Sequence, residues 1–366
     1  MSTLEDTLST RHRLSIWHIY HKSDAHMTIT PFINAKKEFG FKKHTKPEPA
    51  NETNSYFVHH PKLLFHNVPL TLRRGNKKDG PPICLLKCGA FWRNWILQFG
   101  DILKDVLDPR GVVRWECRSN PNNMMNDDRA LKGYKVRGWR VWGESGKEYH
   151  RDINERRRIE KEKRKGESGS LRGGPGNMGN TAESDEQGPD LTDMKALDPP
   201  SYSAVPPPVV PQPAVAEEAV RLKWASPFSV HPRRYTVVYA NIEFTWEGTR
   251  DVHPDNKWAK IFMPFHHLKL IARLPGHEDG RLVAQYTPSF ACRKFGQLWV
   301  FDSVVAEVLE RSPLSSTLTE DSRDVRETRL YDLIIGTAVC MILGEWQKRM
   351  VLAALLALVA EGGNAG

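Results

Sequence analysis

Cysteine is scarce, and none of it is paired by spacing. Cys84, Cys88, Cys117, Cys292 and Cys340 form an odd set without a C-x-x-C. That argues against a disulfide framework and for free thiols in a reducing compartment. The N-terminal M-S-T-L-E-D-T-L-S-T lacks the basic flank and apolar stretch of a secretory leader. No G-x-S-x-G, H-E-x-x-H or Gly-rich dinucleotide fingerprint occurs, which removes the usual signatures of serine hydrolases, zincins and Rossmann enzymes. Two partial matches fail on inspection. Gly143-Glu-Ser-Gly-Lys147 ends like a phosphate loop, but Val141 stands where the first glycine belongs and Glu148 where a hydroxyl should follow. A β-hairpin is the expectation there. Cys84 and Cys88 with His59-His60 and His266-His267 have no zinc-ligand spacing. The chain reads as non-enzymatic, without metal or cofactor, and as cytoplasmic, membrane-peripheral or nuclear.

Long uncharged apolar runs are also missing. The longest organised one, Leu333 to Gly344 (L-I-I-G-T-A-V-C-M-I-L-G), has no charge, no proline and no polar face. Such a helix belongs in a protein interior or a membrane. At about 1.5 Å per residue it would span roughly 18 Å, against the roughly 30 Å of a bilayer core. Glu345-Trp346-Gln347-Lys348-Arg349 then separates it from a second apolar run, Met350 to Ala360. A single span over both would carry Glu345, Lys348 and Arg349 near mid-membrane, at about 2.5–3.5 kcal/mol each. A helix buried in protein is therefore expected over about 332–348, with Asp332 favourably placed at its positive end. An apolar tail follows over 350–366.

The 366 residues include eleven Trp and fourteen Phe, enough to fill a sizeable core. Strand-like stretches of β-branched and aromatic residues recur between turn signals. Before residue 154 they are Ser15–Tyr20, Met27–Thr30, Asn67–Leu72, Ile83–Cys88, Phe91–Phe99, Val112–Cys117, Tyr134–Trp142 and Lys147–Asp152. After residue 221 they are Leu222–Trp224, Tyr235–Tyr239, Asn241–Trp246, Trp258–Phe262, Leu268–Leu274, Leu282–Thr287 and Phe295–Phe301. Val304–Leu309 suits a strand or a short helix equally. This spacing argues for a sandwich or barrel rather than βαβ units.

Between the two halves lies a mixed-sign run, Arg156 to Lys165, expected to be the solvated end of a strand. A Gly-, Ser-, Glu- and Pro-rich stretch to about Arg221 follows and reads as disordered. The predicted organisation is an N-terminal tail (1–13), a first half-barrel (14–153), a linker (154–221), a second half-barrel with the helix (222–349) and the tail. The fold class is mainly β: an antiparallel barrel wrapped around a C-terminal helix. A curled sheet loses its edges, and a helix about 10–12 Å wide fills its lumen.

Arg293-Lys-Phe-Gly-Gln-Leu-Trp-Val-Phe-Asp302, followed by the apolar helix ending in Gly344-Glu-Trp-Gln-Lys-Arg349, resembles the tubby-like barrel proteins of fungi. These belong with the tubby, LURP-one-related and phospholipid scramblase group. Asn241 to Thr249 (N-I-E-F-T-W-E-G-T) and Leu268 to Ala272 (L-K-L-I-A) are similar to the same pattern. The likeness is clearest over 222–349 and weaker over 60–152. It implies a twelve-stranded barrel closed on a hydrophobic helix, and a surface that binds phosphoinositide head groups through basic residues. No basic motif aligns position by position, so no lipid-contacting residue is carried over.

The net charge of +9 suits an anionic partner. Much of it sits in turn-like clusters, Lys36-Lys37, Lys42-Lys43 and Arg73-Arg74-Gly75-Asn76-Lys77-Lys78. No specific nucleic-acid partner is expected. The sharpest motif is Asp198-Pro199-Pro200-Ser201-Tyr202, whose P-P-x-Y form is similar to ligands of WW domains. Its prolines preform a polyproline II strand, and Tyr202 supplies a second anchor. Pro199, Pro200 and Tyr202 are the partner-binding candidates. The expected function is binding of anionic phospholipid by the barrel and of a WW-domain partner by the linker. The alternatives are a scramblase-like protein with its helix in the bilayer, and an adaptor or substrate of a WW-domain ubiquitin ligase with no lipid role.

Overall fold

The computed structural model describes residues 14–22, 26–34, 37, 54–89, 94–120, 122, 127–136, 143–169, 213–224, 234–249, 267–276, 279–289, 294–312 and 324–363. The chain divides into two units. One comprises Met1–Pro61, Asn67–Tyr134 and Pro211–Gly366, and the other Lys62–His66 and Lys135–Val210.

The first unit is a closed antiparallel barrel of twelve strands. β1 (Leu14–His21), β2 (Met27–Thr30), β3 (Tyr56–His59), β4 (Leu70–Arg74), β5 (Pro82–Cys88) and β6 (Asn94–Phe99) precede the long interruption. β7 (Glu218–Trp224), β8 (Arg234–Tyr239), β9 (Ile242–Thr249), β10 (His267–Arg273), β11 (Arg281–Pro288) and β12 (Lys294–Phe301) follow it. Each strand pairs with its sequence neighbours. Two seams join the halves: the consecutive pair β6–β7, with Leu97 opposite Val220, and the closing pair β1–β12, with Ile16 opposite Trp299. Neither half is a closed body alone. The β8–β9 hairpin turns on Ala240 and Asn241, both at positive φ (47° and 64°), the conformation that a two-residue type I′ loop demands.

Alternation along each strand sends one row of side chains inward. Trp17, Ile19, Tyr56, Val58, Leu72, Cys84, Leu86, Trp95, Leu97, Phe244, Trp246 and Leu298 belong to one apolar core. The same core holds Leu333, Ile334, Ile335, Ala338, Val339, Cys340 and Met341 of α4 (Arg329–Gly363). The absence of a polar face on that helix is thus answered by strands on every side of it. Its polar groups inside the barrel are bonded to the wall: Trp246 Nε1 donates to Thr337 Oγ1 at 3.1 Å, and Tyr235 OH to Glu345 Oε1 at 2.6 Å. At the entry, Trp17 Nε1 donates to Tyr331 OH at 2.9 Å, and Arg74 Nη2 reaches Asp332 Oδ1 at 2.7 Å. Glu345 is still buried and Trp346 is 38% exposed, so the helix leaves the wall between them.

The described parts of 100–134 lie against the outer face of the wall, with a single-turn helix α1 (Leu103–Val106). Gln98 Nε2 on β6 donates to the carbonyls of Asp128 (2.7 Å) and Ala130 (2.9 Å). Asp108 accepts from the amides of Arg110 and Val112 and from Arg110 Nε, which ties the 108–112 turn. A strand was expected over Val112–Cys117. Instead Val113 and Arg114 make isolated bridges, and Trp115–Cys117 is a 3-10 turn. The alternation there arises because the segment buries one side against the barrel rather than joining it. Of the expected strand Tyr134–Trp142, Tyr134 bridges Arg114, and residues 137–142 lie outside the described residues.

Other expectations need correction. The hairpin and strand over 143–152, and the linker from 154, give way to helix α2 (Gly143–Gly169), which belongs to the second unit. Lys147 to Lys165 contains neither Gly nor Pro, and its Lys, Arg and Glu are good helix formers. The Arg158–Glu162 pair, i to i+4 at 3.7 Å, is of the kind that supports such a helix. The linker also ends early, since Val215 bridges Ala130 and β7 begins at Glu218. Val304–Leu309 lies in helix α3 (Asp302–Glu310). Finally, α4 does not stop near 348 but runs unbroken to Gly363. Glu345 to Arg349 change polarity without supplying a helix breaker. The tail 1–13, the core of the linker (170–212) and the expected strand 258–262 lie outside the described residues.

Candidate functional site

The lumen is filled, so binding chemistry must be sought on the outer rows. On β1 these are Leu14, Ile16, His18 and Tyr20; on β3, Phe57 and His59; on β4, Thr71 and Arg73. The β3–β4 register sets Phe57 opposite Arg73 and His59 opposite Thr71. His26, just ahead of β2, stands edge-on to His59, with ring centroids 5.0 Å apart, and 5.5 Å from Phe57. His60 N donates to His26 Nδ1 at 3.0 Å. One wall of the barrel therefore gathers three imidazoles, an aromatic ring and a guanidinium from β2, β3 and β4.

Lysines from separate parts of the sequence rim this wall. Lys22, at the β1–β2 turn, places Nζ 5.5 Å from the centre of the Phe57 ring and 3.5 Å from Asn76 O in the β4–β5 turn. That turn carries Lys77 and Lys78. Lys37 returns from beyond β2, donates to His21 O at 2.7 Å and lies 5.3 Å from the Tyr20 ring centre. On the other side of Tyr20, Lys294 of β12 sits 5.7 Å from that centre and 3.2 Å from His18 Nδ1. Lys22 and Lys77 are exposed; Lys37 and Lys78 are half-buried. Among the described residues, acids are sparse beside them. Asp79 is exposed in the same turn, and Asp108 is taken up by Arg110 at 2.8 Å.

The floor of the wall feels this charge. Burial pushes the His59 imidazolium down to about 3, and the neighbouring His26, Arg73, Lys78 and His60 add to the effect. His59 is neutral at any physiological pH. It is sealed by Gly111 at φ +77°, where a Cβ would stand 2.6 Å from His59 Nδ1, so both the backbone conformation and the space require glycine. Arg73 is buried as well and donates Nη1 to Gly80 O at 2.9 Å. Burial lowers its pKa while Asp79 and Asp108 oppose the shift. His59, Arg73 and the buried Lys294 are thus supports, and Lys22 and Lys77 are the groups most presented outward.

The other sequence candidates do not assemble. Cys84 is buried in the core, as is Cys340 on α4, and burial drives both thiols well above their ordinary range. His59 and His60 lie at β3 and His267 on β10, well separated in the strand order, while His266 lies outside the described residues. Among the described residues no three His, Cys, Asp or Glu come together to hold a metal. Pro199, Pro200 and Tyr202 are outside the described residues. The sequence marks Lys36-Lys37 and Arg73–Lys78 as turn-like clusters and leaves the lipid contacts unassigned. Lys22, which carries no motif, reaches the second cluster at Asn76 O. Among the described residues no helix is long and apolar enough to cross a membrane. In comparisons with known proteins, no family model, no curated protein and no solved structure matches the chain.

Proposed function

We propose that this chain is a non-enzymatic binding protein on a tubby-like barrel, which docks the lysine rim of the β12–β1–β2–β3–β4 wall on anionic phospholipid. The observation that carries this reading is the convergence of Lys22, Lys37, Lys77 and Lys78 on one wall, with Arg73 and Lys294 behind them. The closed twelve-stranded barrel around a helix is the fold that the resemblance implies, which supports the family side of the reading. The scramblase-like alternative is less favoured because it would need Leu333–Gly344 in the bilayer, and that stretch is enclosed by the strands. A basic side chain near an anionic leaflet contributes about 1 kcal/mol, so the four lysines supply on the order of 4 kcal/mol. That is weak, salt-sensitive adsorption. Sedimentation with phosphatidylcholine vesicles, with and without phosphatidylserine or a phosphoinositide, tests it. Pelleting should require the anionic lipid and fall in Lys22→Glu/Lys77→Glu. Equal pelleting with neutral vesicles would reject the reading.

The linker serves a separate partner in this proposal. Pro199, Pro200 and Tyr202 form a polyproline II ligand for a WW domain, as in adaptors or substrates of WW-domain ubiquitin ligases. Capture of the full chain by a panel of immobilised WW domains is expected to be lost in Tyr202→Ala. Capture that is absent from the wild type, or unchanged in the variant, removes this part.

A further inference from the structure

Charge on one wall accounts for attraction but not for two large apolar side chains left in water beside it. Phe32 is 41% and Ile33 56% exposed, at consecutive positions just after β2. The turn that holds them is fastened on both sides. Phe32 N donates to Thr30 Oγ1 at 3.2 Å and Asn34 N to Tyr20 OH at 2.8 Å. Lys37 N donates to Asn34 Oδ1 at 3.1 Å and to Asn34 O at 2.9 Å. The pair is therefore presented by a turn bonded to Tyr20 OH on one side and to the Lys37 amide on the other. On the same wall Leu14 and Ile16 are also exposed, with Phe301 and Trp299 directly opposite them on β12.

We propose that Phe32 and Ile33 are a membrane-inserting tip, entering the interface of an anionic bilayer while Lys22, Lys37, Lys77 and Lys78 lie against the head groups. This rests on the lipid reading above and adds the mode of attachment. Peripheral proteins hold a membrane firmly when two weak signals act together, and apolar insertion plus a basic patch is one such pair. A second copy of the chain is the poorer occupant, because two such walls would set lysines against lysines. An acidic peptide would complement the positive charge and leave Phe32 and Ile33 in water.

The test uses the full chain, phosphatidylcholine vesicles with and without phosphatidylserine, and a monolayer of the anionic mixture. Phe32→Ser/Ile33→Ser alters exposed positions, so its melting temperature should match the wild type. Its affinity for anionic vesicles should fall at least about tenfold, the effect of 1.4 kcal/mol. The wild type should raise the surface pressure of the monolayer, and the variant should not. Lys22→Glu/Lys77→Glu should instead reduce binding at low salt. Wild-type binding with an unchanged tip variant and no pressure rise overturns insertion and leaves electrostatic docking standing. No wild-type binding to anionic vesicles overturns both. A tip variant that converts a dimer into a monomer assigns the patch to a second copy and also overturns the proposal.

Discussion

Replacing Arg74 with Met is expected to cost roughly 3 kcal/mol at pH 8, the usual order for stranding one member of a buried pair, and far less at pH 5. Asp332 opens the buried helix with its side chain 10% exposed, and it accepts from Arg74 Nη2 at 2.7 Å and Tyr56 OH at 3.4 Å. Arg74 lies 4.7 Å from the Tyr56 ring centre and also donates to Arg326 O at 3.1 Å. Burial drives the Asp332 carboxyl up to about 6, against the pull of Arg74, Arg329 and the Tyr56 hydrogen bond. In the unfolded chain an aspartate titrates near about 4. The native state therefore keeps a proton that the unfolded state has released. Stability from this group is complete below about pH 4 and declines as pH rises towards 6, by roughly 3 kcal/mol. Above 6 it is flat in the wild type. Without Arg74 the carboxyl moves higher still, and the decline continues into the neutral and alkaline range. At pH 5 both native forms hold the proton, so only lost hydrogen bonds remain, about 1 kcal/mol. Asp332→Asn should abolish the slope between pH 4 and 6, and the double variant should recover most of the loss at pH 8. Urea unfolding of the four proteins at pH 4, 5, 6 and 8 gives the answer. An Arg74→Met penalty independent of pH would exclude Asp332 as the titrating group.

This entry network also marks where sequence reasoning reached its limit. Asp332 was legible as a helix-terminal acid, because it directly precedes a run with no polar face. Its partner was not, because Arg74 stands in a cluster of four cations around Gly75 and Asn76 that reads as a turn. Only the pairing of Tyr56 with Arg74 turns that guanidinium towards the helix. Strand β3 itself was missed for a related reason. Tyr56 and Val58 face the lumen while Phe57 and His59 are covered from outside, so the stretch has no polar alternation and is only four residues long. β8 and β9 were plain, since Tyr235, Val237 and Tyr239 face in while Arg234 and Val238 face out. Closure of the barrel was legible as a need, because the all-apolar helix required cover on every side. The basic rim was not, because Lys22, Lys37 and Lys77 are brought to one wall by strand register and turn geometry rather than spacing. Helix α2 was obscured by its own composition: a helix polar all round leaves no apolar stripe to follow.

Gly336→Leu is expected to destabilise the barrel by about 3 kcal/mol or more, at the upper end for overpacked cores. A Cβ on Gly336 would stand 2.9 Å from Leu97 Cδ2, 3.7 Å from Leu86 Cδ2 and 3.9 Å from Leu72 Cδ2. These leucines belong to the adjacent strands β6, β5 and β4, so the glycine is where the helix comes against one wall. Glycine inside a helix costs about 1 kcal/mol relative to alanine, and here the absent side chain gives the wall its room. Gly336→Ala regains that propensity while pressing only on the Leu97 methyl, so it should stay within about 1 kcal/mol of the wild type. Leucine adds three further carbons where three side chains already meet, and no rotamer inside a closed barrel leads to solvent. Leu97→Ala alone should cost about 2–5 kcal/mol as a cavity. In combination with Gly336→Leu it should cost less than the two losses added, because the new side chain fills the space the old one leaves. Urea unfolding of the single and double variants measures that coupling. Additive losses, or a tolerated leucine, would mean that residue 336 does not face β4–β6 and that the helix is turned differently within the strands.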